Sequence, residues 1–156
     1  MATIRFAVDA DLEAVNRLRK EVNDLHVAGR PDIFKPGFCD ELRDYIYVIH
    51  NNPNMDIVVA EQDGIICGFA CLQAIRRPEN PFMFERCFLD IDEFCVSSAY
   101  RRQGIASEMI RFIRQVAKER GFRKLELNMW EFNGDALRFY EAAGFTTYRR
   151  YMEMEV

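Results

Sequence analysis

Three carboxylates stand within four residues in "LDIDEF": Asp90, Asp92 and Glu93. A carboxylate set in a cleft can take a proton from a reacting group or hold a cation beside it. Strand alternation groups Asp92 with Phe94 and Val96, and Glu93 with Ile91 and Cys95. A bulge in this stretch would exchange those faces, so alternation does not choose between the two acids. Directly downstream, "VSSAYRRQGIASEMI" offers a different chemistry. Arg101, Arg102 and Gln103 lead to a lone Gly104, and an amphipathic helix begins. The start of a helix carries unpaired amides and about half a positive charge, which suits a phosphate or pyrophosphate. Gly104 removes the Cβ that would block the approach, and Ala106 is the next smallest choice. Arg101 and Arg102 could neutralise such an anion. The plainer reading is a capped surface helix, but cations at a helix start are mildly unfavourable unless an anion joins them. Neither GxxxxGK[ST] nor GxGxxG occurs.

The elements that must hold these residues follow from periodicity and turn chemistry. Residues 3–8 alternate as a strand, and Asp9 is expected to cap a helix with Leu12, Val15, Leu18, Val22 and Leu25 on its apolar stripe. Two prolines and two glycines make residues 28–37 a loop. Residues 38–52 read as a shorter helix ending before Pro53. Asp63-Gly64 turns a hairpin over residues 56–75. Residues 82–96 form a long strand with an expected bulge. The helix after Gly104 carries Ile105, Met109, Phe112, Ile113 and Val116 inward and stops at Gly121. Residues 123–130 alternate, Asn133 caps a short helix closed by Gly144, and residues 145–156 read as a last strand. The predicted order is β-α-α-β-β-β-α-β-α-β, an α/β domain with a mixed sheet: antiparallel hairpins first, then a β-α-β unit with parallel strands. No linker or repeat divides residues 1–156, so one domain is expected.

Composition narrows the function. The 156 residues are 49% hydrophobic and 29% charged, with net charge −4, and the pI is about 5.3. This balance speaks against a nucleic-acid binder. No apolar run reaches the ~20 residues of a membrane span. The charged N-terminal stretch is no signal peptide. Five cysteines, without a CxxC pair, suit reduced thiols in a cytoplasmic protein. His26 and His50 are far apart, and no metal site is expected.

The run R-x-x-G-x-A, Arg101 to Ala106, follows a strand ending "DEFCV" and precedes "NGDALRFYEAAGF". Together these resemble the GNAT N-acetyltransferase superfamily, over nearly the whole chain. The resemblance implies that the backbone of Arg101, Arg102, Gln103, Gly104, Ile105 and Ala106 cradles the pyrophosphate of acetyl-CoA. Many members carry glycine where Arg102 stands, so the Arg102 side chain is expected to point away from the phosphate or toward the adenosine end. Cys95 and Val96 are expected to line the cofactor, with a backbone N–H near Val96 polarising the thioester carbonyl. Asn133 serves as helix cap and cofactor partner.

Acetyl transfer to an amine has three demands. The amine must lose a proton, since only on the order of one part in a thousand of an alkylamine is neutral at pH 7. The carbonyl must be polarised, and the leaving thiolate gains from a proton donor. By resemblance the first acid of the pair, Asp92, serves as base, directly or through water, and Glu93 holds the substrate ammonium. Tyr140 in "RFYEAAGF" corresponds to the tyrosine that faces the CoA sulfur. Trp130, Phe132, Phe82 and Phe84 could shape an acceptor pocket or pack the core. His26 and Glu21 read as a solvated helix face. The expected activity is transfer of acetyl from acetyl-CoA to a primary amine of a small molecule, protein N-terminus or lysine. A non-catalytic acyl-CoA-sensing module of the same fold is the alternative. The aromatic C-terminal strand could support a homodimer.

Overall fold

The computed structural model describes residues 1–156. The chain runs β1 (Thr3–Phe6), α1 (Leu12–Gly29), α2 (Asp40–His50), β2 (Met55–Gln62), β3 (Ile65–Arg77), β4 (Arg86–Val96), α3 (Ile105–Glu119), β5 (Leu125–Leu127) and α4 (Gly134–Ala142). The strands lie in chain order, β1-β2-β3-β4-β5. The first four are antiparallel neighbours and β5 is parallel to β4. Asp63 and Gly64 both take positive φ, 52° and 76°, which closes the β2–β3 hairpin. A short 3-10 turn, Asp9–Asp11, precedes α1. Asp11, rather than the expected Asp9, secures this entry: it accepts from the Val8 N–H at 2.8 Å and pairs with Arg5 at 2.7 Å.

Alternation divides the core into two layers. On one face, Leu12, Val15 and Leu18 of α1 and Ile46 and Ile49 of α2 pack on Ile57, Val59, Phe69, Cys71 and Cys95. On the other, Ile105, Met109, Ile110 and Ile113 of α3 pack on Val58, Ala60, Ala70, Leu72, Leu89 and Ile91. No helix is long and apolar enough to cross a membrane.

Three expectations about the strands need correction. β4 begins at Arg86, not at residue 82. Phe82, in the turn before β4, and Phe84, just after that turn, are 84% and 87% exposed and do not belong to the core. β5 is only three residues long. The last strand does not form: residues 145–156 carry no strand, and the chain there is held by side chains, Tyr148 to Glu126 at 2.8 Å and Glu153 to Arg30 at 2.7 Å. A three-residue β5 offers too little edge for a ladder partner.

Candidate active site

The expected bulge in β4 falls at Asp92. Ile91 pairs with Leu72 and Glu93 with Cys71, so Asp92 is the extra residue. It reverses the alternation of the strand. Leu89 and Ile91 face α3 before it, while Phe94 and Val96 face that layer after it. Glu93 and Cys95 are thereby turned toward α1, where Cys95 joins the core and Glu93 meets Arg19. The two acids differ in surroundings for that reason: Asp92 is exposed at the bulge and Glu93 is tied down beside α1.

The bulge coincides with a gap. β5 pairs with β4 only from Leu89 to Ile91, so from Asp92 to Val96 the strand has no partner on its β5 side. The Ser97 N–H donates to the Cys67 carbonyl at 2.8 Å, toward β3. Alternation directs the amide of Val96 the other way, into the gap. The Val96 carbonyl also leaves β3 and accepts from Arg101 Nε at 3.3 Å. Tyr140 of α4 packs edge-on against Phe94, centroids 6.1 Å apart, with Phe139 and Phe145 around it.

Surroundings set the proton affinities. Partial loss of water, then the charge of Glu93, raises the Asp92 pKa, and Arg19 opposes the rise. Asp92 is exposed as a residue, yet the atoms around its carboxyl strip part of its hydration. Burial pushes Asp90 up to about 6, helped by the charges of Asp92 and Glu126. Burial likewise pushes Tyr140 up to about 12, with Cys95 adding to the rise. The Cys95 thiol is pushed up to about 12, again chiefly by burial.

At the end of β4 the chain makes a 3-10 turn, Ser98–Tyr100, and enters α3 through Gly104 at φ 83°. Arg102 also has positive φ, 62°, the conformation that glycine adopts without strain. A Cβ on Gly104 would meet nothing within 4 Å, so the space over the first turn of α3 is open. The Ile105 side chain is buried in the α3 core, leaving its backbone to face that space. Arg101 is turned back on the protein, to Val96 and to within 4.0 Å of Glu21. Gln103 approaches Gln62 at 3.5 Å, and Ala106 stands in the first turn of α3. Asn133 caps α4 through Oδ1, which accepts from the Ala136 N–H at 3.2 Å.

Glu21, His26, Trp130 and Phe132 take more definite places than the sequence suggested, and Phe34, Asn16 and Arg19, which it did not single out, join them. Glu21, expected on a solvated face, accepts from the Ser98 N–H at 2.8 Å and pins the 3-10 turn to α1. His26, expected beside it, stacks on Phe34 at 4.8 Å and meets Phe132 edge-on at 6.2 Å. Trp130 completes this wall against Phe34 and Phe132. Burial lowers the His26 pKa, against the pull of Glu93. Phe132 lies over Gly29, where a Cβ would come within 2.4 Å of its ring. Asn16 and Arg19 were legible in principle, as polar residues on the buried stripe of α1.

Comparison with known proteins agrees with this geometry. The profile of the acetyltransferase (GNAT) family matches residues 19–145. The chain is 29% identical over 106 residues to the N-alpha-acetyltransferase 30 of Schizosaccharomyces pombe, covering 68% of this chain and 67% of that protein. A tetramutant of the BH1408 protein from Bacillus halodurans superposes with a TM-score of 0.94 at 25% identity, over 99% of both chains. The aminoglycoside N-acetyltransferase AAC(6')-Iy, solved in complex with CoA, superposes with a TM-score of 0.79 over 100% of this chain and 95% of its own, and at 19% identity that likeness speaks for the fold. The chain therefore belongs to the acetyltransferase (GNAT) family and is an N-acetyltransferase.

Proposed function

We propose that the protein transfers the acetyl group of acetyl-CoA directly to a primary amine, with Asp92 as base and Tyr140 as acid. The observation that carries this reading is the open edge of β4, along which the acidic bulge at Asp92, the Phe94 ring that Tyr140 packs against and the free Val96 amide follow in order. The loop and first turn of α3, from Arg101 to Ala106, fit a pyrophosphate: positive φ at Arg102 and Gly104 leaves backbone amides facing open space. When bound there, acetyl-CoA supplies the acetyl group as a thioester.

Each residue then has one task. Asp92, directly or through one water, takes the proton that the ammonium must lose. Glu93, fixed by Arg19, adds negative charge that draws the cationic acceptor. The Val96 amide donates to the carbonyl oxygen as it gains charge. The amine nitrogen bonds to the carbonyl carbon, the carbon–sulfur bond breaks as Tyr140 gives its proton to the sulfur, and the proton still in excess on the nitrogen passes to the phenolate as the amide forms. Asn133 holds the first turn of α4, and so the helix that carries Tyr140.

The fission-yeast relative's name points to a protein N-terminus and the aminoglycoside enzymes to a small molecule. Both are primary amines, and the acidic face suits either. The test is release of free thiol from acetyl-CoA in the presence of polyamines, aminoglycosides, amino acids and peptides. Thiol release that needs an amine, and that falls at least about tenfold in Asp92→Asn, is expected. Tight CoA binding with no release for any amine would favour the acyl-CoA-sensing module and overturn the reading.

A further inference from the structure

Arg19 is the one charged residue of α1 that is almost fully enclosed, 5% exposed. Its Nε donates to both carboxylate oxygens of Glu93, at 3.0 and 3.3 Å. One terminal nitrogen donates to Asn16 Oδ1 at 3.1 Å and to the Leu42 carbonyl at 2.5 Å. The guanidinium also lies 5.6 Å from the centre of the Phe38 ring. It thus joins α1, the α1–α2 loop, the start of α2 and the acidic strand in one contact set. A buried cation is tolerated only when paired and hydrogen-bonded, and here the only carboxylate paired with it is that of Glu93.

We infer that Arg19 is a positioning residue for acetyl transfer: it holds the Glu93 carboxylate turned toward α1, which leaves Asp92 as the acid free to accept a proton. The inference rests on the reading of Asp92 as base. Without Arg19, Glu93 and Asp92 would be adjacent half-desolvated acids competing for one proton, and neither would have a fixed role. Nothing else nearby can replace the cation. The titratable groups that face Glu93 are the Cys71 thiol of β3, which donates to Oε2 at 3.4 Å, Asp92 and Cys95 of β4, and His26 of α1. Burial drives Cys71 and Cys95 toward the neutral thiol and His26 toward the neutral ring. The planar fork of Arg19 also reaches Glu93, Asn16 and Leu42 at once, which a lysine cannot do.

The test is titration of the Asp92 and Glu93 side-chain carboxyl carbons by NMR in the free protein, in wild type, Arg19→Lys and Arg19→Met, with circular dichroism to confirm folding. Arg19 holds the Asp92 carboxyl down, so Arg19→Met should raise the Asp92 midpoint. Arg19→Lys keeps the charge and should restore most of that difference. If Arg19→Met does not fold, Arg19→Gln, uncharged but able to hydrogen-bond, takes its place, and an Asp92 midpoint indistinguishable from wild type then overturns the proposal. An unchanged Asp92 midpoint in folded Arg19→Met overturns it as well, while leaving Asp92 free to be the base. The base reading fails separately, when Asp92→Asn and Glu93→Gln both release thiol at the wild-type rate, and Arg19 then has no catalytic role.

Discussion

A phenol pushed up to about 12 looks a weak donor for a thiolate, yet the burial that weakens Tyr140 acts on sulfur too. A CoA sulfur leaving into a partly desolvated gap would also become more basic, so Tyr140 can keep its proton until the thiolate appears and then give it up. Tyr140→Phe should lower turnover about a hundredfold with little change in KM for acetyl-CoA. The wild-type rate should show no basic limb owed to Tyr140 below about pH 10. Steady-state kinetics across pH checks both, and a loss below tenfold would remove Tyr140 as the acid. The tyrosine was legible from the "RFYEAAGF" segment. The division of labour between Asp92 and Glu93 was not, because a single inserted residue reverses the faces and alternation cannot say where the insertion falls.

At the scale of elements, the strand–loop–helix unit from β4 to α3 is the best specified part of the chain. Its strand is apolar, its helix stripe is regular, and Gly104 marks the junction with φ 83°. A left-handed alanine costs about 1 kcal/mol, and no atom lies within 4 Å to clash with the new methyl. Gly104→Ala should therefore lower the melting temperature by only a few degrees. The same methyl would stand over the amides of the first turn, so CoA affinity should fall more than tenfold. Calorimetric titration with CoA beside thermal denaturation separates the two effects; equal retention of both would place the pyrophosphate elsewhere. The aromatic wall was hidden for a different reason. Residues 26, 34, 130 and 132 come from three segments, and no local pattern brings them together. The last strand was overread because residues 145–156 have strand-like composition, whereas a strand needs an edge to pair with.

The whole molecule carries a net charge of −4, and part of that excess is concentrated beside its own cleft. Asp90, paired in register with Glu126 and two residues from Asp92, carries the clearest consequence. Burial first, then those two neighbours, pushes its carboxyl up to about 6, and Arg77 relieves only part of this. An acid whose folded value exceeds its unfolded one makes the native state the tighter proton binder. Between about pH 4 and pH 6 the folded protein therefore holds a proton that the unfolded chain has lost, and stability from this group falls as pH rises through that window. Above about pH 6 the native state carries an ionised, partly desolvated carboxylate among like charges. Asp90→Asn removes that charge while keeping the shape. Its melting temperature should exceed that of wild type by a few degrees at pH 7.5, solvent screening limiting the gain, and the difference should shrink toward zero near pH 4. Thermal denaturation of both proteins across that range is the check. A difference independent of pH would mean that Asp90 titrates normally. A cationic acceptor entering this face would bring the same relief as the substitution, so an amine that stabilises wild type more than Asp90→Asn at pH 7.5 would bind beside Asp90.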